Sequence, residues 1–206
     1  MNKSSIVIVA LLALVAGVLS SLYLSNSKPI KLETGLWFGE QARALPAFAL
    51  LDHNQQILDN NRLLGKWSLL FFGYTSCPDI CPLTMQTLSE MTAAIEKPQL
   101  RDRLQVYFIS VDPQRDQPEQ LASYMAYFNP AFIGATAAPE QLNVLTGSLG
   151  ISHQTHKSAE DDLSYGVDHS SAIVLINPAA EFAGLFSAPH EAIAMARDMT
   201  LIMERN

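Results

Sequence analysis

Only two of the 206 residues are cysteine, Cys77 and Cys81, which excludes a scaffold stapled by disulfides. Two thiols kept so close together read as chemistry rather than as cross-links. Charge is also sparse, at 16% of residues against 49% apolar, so intrinsic disorder is excluded. The 13 lysines and arginines are scattered and outnumbered by 20 acidic residues, giving a formal net charge of −7, so no nucleic-acid surface is expected. No internal repeat and no low-complexity stretch is present. What remains is length for one ordinary domain plus an appendage, enough to bury a core without metal or disulfide support.

The appendage is the uncharged run IVIVALLALVAGVLSSLYL at residues 6–24. At 1.5 Å rise per residue it spans a hydrocarbon core of about 30 Å. A cleaved signal peptide would be shorter, with Ser20-Ser21 a weak cleavage site; an uncleaved anchor fits the length, with Tyr23 at the interface. No cysteine follows the run, which argues against a lipid-attached N-terminus, and the arginines of a mitochondrial presequence are missing. Lys3 competes with Lys28 and Lys31 over orientation, but every acidic residue lies beyond the run. The expectation is a single-pass anchor in a bacterial inner membrane with the domain in the periplasm. Residues 25–44 read as a juxtamembrane tether broken by Pro29 and Gly35, and residues 45–206 as the domain.

Within the domain, Phe48–Leu51 and Gln56–Leu58 flank an Asp52-His53-Asn54 turn as an N-terminal hairpin. Ser68–Tyr74 is a continuous apolar run, the mark of a strand covered on both faces. Pro82 opens a helix to Glu96 with Leu88, Met91 and Ile95 as its core stripe. Val106–Val111 is the next strand. Asp116-x-x-Glu119 has the form of a capping box for a helix to Phe128. Phe132–Gly134 reads as a short strand, and Pro139–Leu149 as a helix ended by Gly150. Ser171–Ile176 and Glu181–Phe186 form an antiparallel pair before a last helix, Glu191–Met203. The fold class is α/β, a mixed sheet flanked by helices.

The chemistry concentrates in Gly73-Tyr-Thr-Ser-Cys77-Pro-Asp-Ile-Cys81-Pro82, which leaves a strand and enters a helix. Cys77 sits in the loop, and Cys81 caps or opens the first turn. Free amides and the helix dipole there are expected to favour thiolate. Two thiolates so placed either close a disulfide or clamp a soft ion, copper(I) or zinc. Among the five histidines, His169 precedes the strand SAIVLI and either faces the cysteine loop or is an ordinary surface histidine. His153 and His156, followed by Glu160, Asp161 and Asp162, read as solvated residues of a flexible loop, and His53 and His190 as structural. Met195, Met199 and Met203 recur every fourth residue, more a core stripe than a copper face.

Three motifs in order, Cys77-x-x-x-Cys81-Pro82, Val111-Asp112-Pro113-x-Arg115-Asp116-x-Pro118 and Asp168-His169-Ser170, resemble the Sco/SenC family. The resemblance covers Leu45 to Met203. It implies a thioredoxin-like fold and a membrane-anchored copper protein that helps assemble the CuA centre of cytochrome c oxidase. Carried over, the copper ligands are Cys77, Cys81 and His169, with His169 beside the cysteine loop. The partners implied are subunit II of the oxidase, with its CuA site, and a copper-delivery protein. In the middle motif, Arg115 pairs with Asp112 or Asp116 and the role is mainly structural. Asp168 either supports the His169 ring or solvates the loop.

The spacing departs from thioredoxin, which has two residues between its cysteines where this chain has Pro78, Asp79 and Ile80. Tyr74 stands where a peroxiredoxin carries threonine, against peroxidase activity. Two functions are carried forward: a copper chaperone holding Cu(I) or Cu(II), and a thiol–disulfide oxidoreductase in which Cys77 and Cys81 cycle as a redox pair. A redox or copper sensor acting through a partner is a weaker third reading.

Overall fold

Every residue of the strand Trp67–Gly73 is buried, because its alternate side chains feed two different cores. Trp67, Leu69 and Phe71 pack with helices on one face, and Leu70 and Phe72 with elements on the other. A strand covered on both faces needs no polar side, which accounts for its unbroken apolar sequence. This computed structural model describes residues 8–9, 11–18, 20, 30–156 and 165–205. They fall into two units, Met1–Lys31 and Leu32–Asn206. In the first, residues 8–9 and 11–18 are helical and their side chains exposed, Leu12 and Leu14 by 65% and 66%. Among the described residues no helix is long and apolar enough to cross a membrane. The rest of the expected anchor, residues 6, 7, 10, 19 and 21–24, lies outside the described residues.

The second unit is a mixed sheet with helices on both faces. Its strands are β1 (Gly35–Trp37), β2 (Arg43–Ala44), β3 (Ala49–Asp52), β4 (Ile57–Asp59), β5 (Trp67–Gly73), β6 (Leu104–Ser110) and β7 (Ile133–Thr136). After β8 (His153–His156) and β9 (Gly166–His169) come β10 (Ile173–Ile176) and β11 (Glu181–Phe186). The order is β1-β11-β10-β5-β6-β7-β3-β4, with β2 also on β11. β5, β6 and β7 are parallel; the other neighbours in the sheet are antiparallel. Its longer helices are α1 (Ile80–Ala94), α2 (Pro118–Phe128), α3 (Pro139–Leu149) and α4 (Ala192–Arg205), with single helical turns at Asn60–Leu63 and Pro98–Arg101. α1, α2 and α4 cover one face, where Met195, Met199 and Met203 lie in the core as expected, and α3 covers the other. Gly150 ends α3 with φ +69°, the left-handed conformation that glycine adopts without strain.

Three expectations fail, each through a contact distant in sequence. The segment read as a tether up to residue 44 contributes β1 and β2 to the sheet, and the compact unit begins at Leu32. Its anchor point is Asp198 on α4, fully buried, whose carboxylate accepts from the backbone N–H groups of Glu33, Thr34 and Gly35 and from the Thr34 hydroxyl. The capping box does not form. Gln117 occupies the cap position of α2 without a side-chain bond, and the Asp116 carboxylate turns inward instead. Of the segment read as a flexible loop, His153–His156 pairs as a separate two-stranded ladder, β8 with β9, while Glu160, Asp161 and Asp162 lie outside the described residues. Its ladder bonds are made by the backbone, so a polar sequence without alternation conceals them.

Candidate metal centre

β5 delivers the chain to the cysteine loop, and α1 receives it. Cys81 is the second residue of α1, fully buried, while Cys77 in the loop is half-buried. Pro82 follows in the first turn, where its missing N–H leaves no helical bond unmade. Gly73, the last residue of β5, makes the space: a Cβ there would stand 2.5 Å from the Cys81 sulfur and 3.1 Å from the Phe108 ring. Glycine is the residue that lets the sulfur lie directly on the strand.

The loop is held from below by Asp116. Its carboxylate accepts from the Thr75 N–H at 2.8 Å, the Thr75 hydroxyl at 2.6 Å and the Ser110 hydroxyl at 2.6 Å. Burial raises the Asp116 pKa, and those three hydrogen bonds oppose the rise by stabilising the charge. Asp112 instead binds Arg115 and accepts from the Tyr165 hydroxyl at 2.6 Å, so Arg115 takes the first of its two expected partners. Burial and the Asp112 contact push the Tyr165 phenol up to about 12, keeping it a donor. The Arg115 guanidinium lies over the Tyr165 ring at 3.8 Å and the Tyr74 ring at 5.3 Å and donates to the Tyr165 carbonyl. The middle motif therefore ties the cysteine loop, through Asp116, to the start of β9, through Asp112 and Tyr165.

β9 ends in His169, whose Nε2 lies 3.2 Å from the Cys81 sulfur, 88 residues away in sequence. The opposite ring nitrogen, Nδ1, contacts the Ser170 carbonyl at 3.1 Å. A carbonyl only accepts, so Nδ1 carries the proton and the Nε2 lone pair faces the sulfurs. Burial lowers the His169 pKa and holds the ring neutral. Phe71 and Tyr74 present their rings near-perpendicular to the imidazole, at centroid distances of 6.0 and 5.8 Å. The donor atoms of Cys77, Cys81 and His169 all lie within 4.8 Å of one another. Among the described residues no other group of three His, Cys, Asp or Glu side chains is so gathered.

One electrostatic expectation is reversed. Burial pushes the Cys81 thiol well above the ordinary range, because desolvating a thiolate, with the Cys77 sulfur beside it, costs more than the backbone hydrogen bond at Tyr74 returns. Cys81 is therefore a thiol, placed to donate to the His169 lone pair. Two soft sulfurs and one neutral imidazole fit copper: they complete a three-coordinate Cu(I) site, and they leave one position short of the tetrahedral set that zinc takes.

His53 and His190 keep the structural roles read for them, whereas His153 and His156 lie in β8 rather than in a loop. His53 accepts from the Gly134 N–H and His190 contacts the Ser171 carbonyl, both structural roles. His156 pairs with Asp168 at 2.7 Å, so that carboxylate serves the exposed face of the ladder rather than the His169 ring. His153 lies directly opposite His169 in the ladder. Gly73 and Thr75 stand in the cysteine segment, but the sequence assigns no role to them or to Ser110 and Tyr165. A glycine closing an apolar strand was the one available signal among them.

Residues 39–204 match the SCO1/SenC family model. An SCO2-like protein of Rickettsia felis is 33% identical over 199 residues, 93% of this chain and 95% of the relative. The copper-bound crystal structure of Arabidopsis thaliana ScoI is similar with a TM-score of 0.68 at 29% identity, over 78% of this chain and 96% of that one. Bradyrhizobium japonicum ScoI with copper bound matches equally, with a TM-score of 0.68 at 30% identity over 77% and 98%. The expected mixed-sheet fold and the expected metal agree with these relatives.

Proposed function

The chain belongs to the SCO1/SenC family, and we propose on that premise that it is a copper chaperone which carries the ion on Cys77, Cys81 and His169 and helps metallate the CuA site of cytochrome c oxidase. The observation that carries this reading is the neutral imidazole with its lone pair turned onto the Cys81 sulfur. A hydrogen-bonded thiol and imidazole exchange one proton for one cation without rearranging the core. Half-buried Cys77 offers the sulfur from which an acceptor thiolate takes over the ion by ligand exchange. The acceptor proposed is the dithiol site of oxidase subunit II, and the donor a separate copper-delivery protein. The apolar run at residues 6–24, with its exposed described side chains, supports a single-pass anchor in a bacterial inner membrane with the domain in the periplasm.

The test is titration of the reduced chain with Cu(I) against a competing chelator. One copper per chain is expected, lost in Cys77→Ser and Cys81→Ser and weakened about 10- to 100-fold in His169→Ala. Substoichiometric binding by the reduced protein would refute the reading.

The contrast between accessible Cys77 and buried Cys81 also supports a second activity, thiol–disulfide exchange. Cys77 attacks a partner disulfide, Cys81 resolves the mixed disulfide, and the partner leaves as a dithiol. Turnover that persists in His169→Ala would assign this role to the cysteine pair alone.

A further inference from the structure

His153 and His169 are direct partners across the β8–β9 ladder. The next pair out, Ser152 and Ser170, carries a ladder hydrogen bond, from the Ser170 N–H to the Ser152 carbonyl at 3.0 Å. Bonded and non-bonded pairs alternate in an antiparallel ladder, so His153 and His169 form a non-bonded pair, the kind in which Cα atoms approach to about 4.5 Å. Directly opposed residues project from the same face, which places both imidazoles on the side of the cysteine loop. Gln154, His156 and Asp168 take the other face.

Among the described residues His153 is uncommitted. The rings of His53, His156, His169 and His190 each contact a named partner. The half-buried His153 ring has no hydrogen bond or ion pair with any described residue, and it lines a cleft of about 410 Å³ beside Asp112, Gln114 and Tyr165. The nearby carboxylates are already engaged, Asp112 by Arg115 and Tyr165, and Asp168 by His156.

Two sulfurs and one nitrogen satisfy Cu(I), but Cu(II) takes a tetragonal set of four and accepts nitrogen readily. We propose that His153 is a fourth copper donor, which joins Cys77, Cys81 and His169 when the bound ion is Cu(II) and stands aside when it is Cu(I). The ladder holds His153 directly across from His169, so the movement this requires is confined to the His153 side chain. Binding displaces the two thiol protons to water and leaves the charge on copper unchanged. The chain thus holds both oxidation states in one site, with the ladder supplying the extra ligand. This rests on the copper-carrier reading above.

The experiment loads the full reduced chain anaerobically with one equivalent of Cu(II) and counts coordinated imidazoles by pulsed electron paramagnetic resonance. Two imidazoles are expected in the wild type and one in His153→Ala and His153→Gln, with Cu(II) affinity reduced about tenfold or more in both variants. Cu(I) affinity should stay within about twofold, a change of roughly 0.4 kcal/mol. His156→Ala, on the opposite face, should match the wild type throughout. A single imidazole in the wild type overturns the proposal while leaving the copper carrier intact. Equal loss of Cu(I) and Cu(II) in both His153 variants also overturns it, because His153 would then act through the fold. A wild type that takes up neither ion refutes the carrier reading itself.

Discussion

Replacing Gly73 with alanine tests whether the close approach of strand and sulfur makes the metal centre. The added Cβ would lie 2.5 Å from the Cys81 sulfur, with the Phe108 ring at 3.1 Å closing another direction of escape. Ordinary non-bonded contacts run at about 3.5–4.0 Å, so something must move by about 1 Å. The sulfur has little freedom to yield: Cys81 is fully buried, and another rotamer would carry it away from His169. The start of α1 or the end of β5 must therefore shift, at an overpacking cost of about 1–3 kcal/mol. For a chain of this size that corresponds to a Tm lower by roughly 2–12 °C. Displacing one of three ligands by that distance should weaken Cu(I) binding about 10- to 100-fold. Thermal unfolding followed by circular dichroism reads the first effect, and chelator competition the second. If Gly73→Ala kept both the Tm and the copper affinity of the wild type, the argument that glycine creates this site would be wrong. A lower Tm with full affinity would confine the role of Gly73 to packing.

Asp116→Ala removes the acceptor for the Thr75 N–H and for two hydroxyls; it should cost about 1–3 kcal/mol in urea unfolding and weaken Cu(I) binding by loosening the cysteine loop. Unchanged copper affinity would show that the loop holds its shape without Asp116. Asp198→Ala should cost about 1–3 kcal/mol and abolish hydrogen-exchange protection of Gly35–Trp37, whose strand the carboxylate ties to α4; retained protection would contradict that role. His190 has its pKa lowered by burial, so the unfolded chain binds a proton more tightly than the folded one. Its contribution to stability is then complete above the unfolded value near 6.5 and is lost as pH falls through the window below it. His190→Gln should flatten the fall in Tm between about pH 7 and 5 relative to wild type, and an identical slope would refute the assignment.

Local patterns were legible wherever their cause is local. The Ser68–Tyr74 run, the Leu88, Met91 and Ile95 stripe and the Gly150 stop all report burial or backbone conformation over a few residues, and each reappears where expected. The cysteine pair at a strand–helix junction was visible for the same reason. His169 was ambiguous by itself, since a histidine before a strand has no local signature of a ligand; the order of the three motifs pointed to it.

What stayed hidden depends on partners far along the chain. Asp116 has the sequence of a helix cap, yet it serves Thr75, 41 residues earlier, because two hydroxyls and an amide gathered in the interior outcompete exposed helix amides for a carboxylate. The segment at residues 33–37 lacks periodicity, yet it joins the sheet because Asp198, 165 residues from Glu33, is buried and needs donors. The β8–β9 ladder pairs through its backbone, to which side-chain patterns are blind. The state of Cys81 followed burial rather than its place at a helix start. Composition and spacing thus determined the kind of chemistry and the elements that bear it. Tertiary structure decided which groups meet and which proton each one holds, because desolvation and long-range hydrogen bonding exist only once the chain has closed on itself.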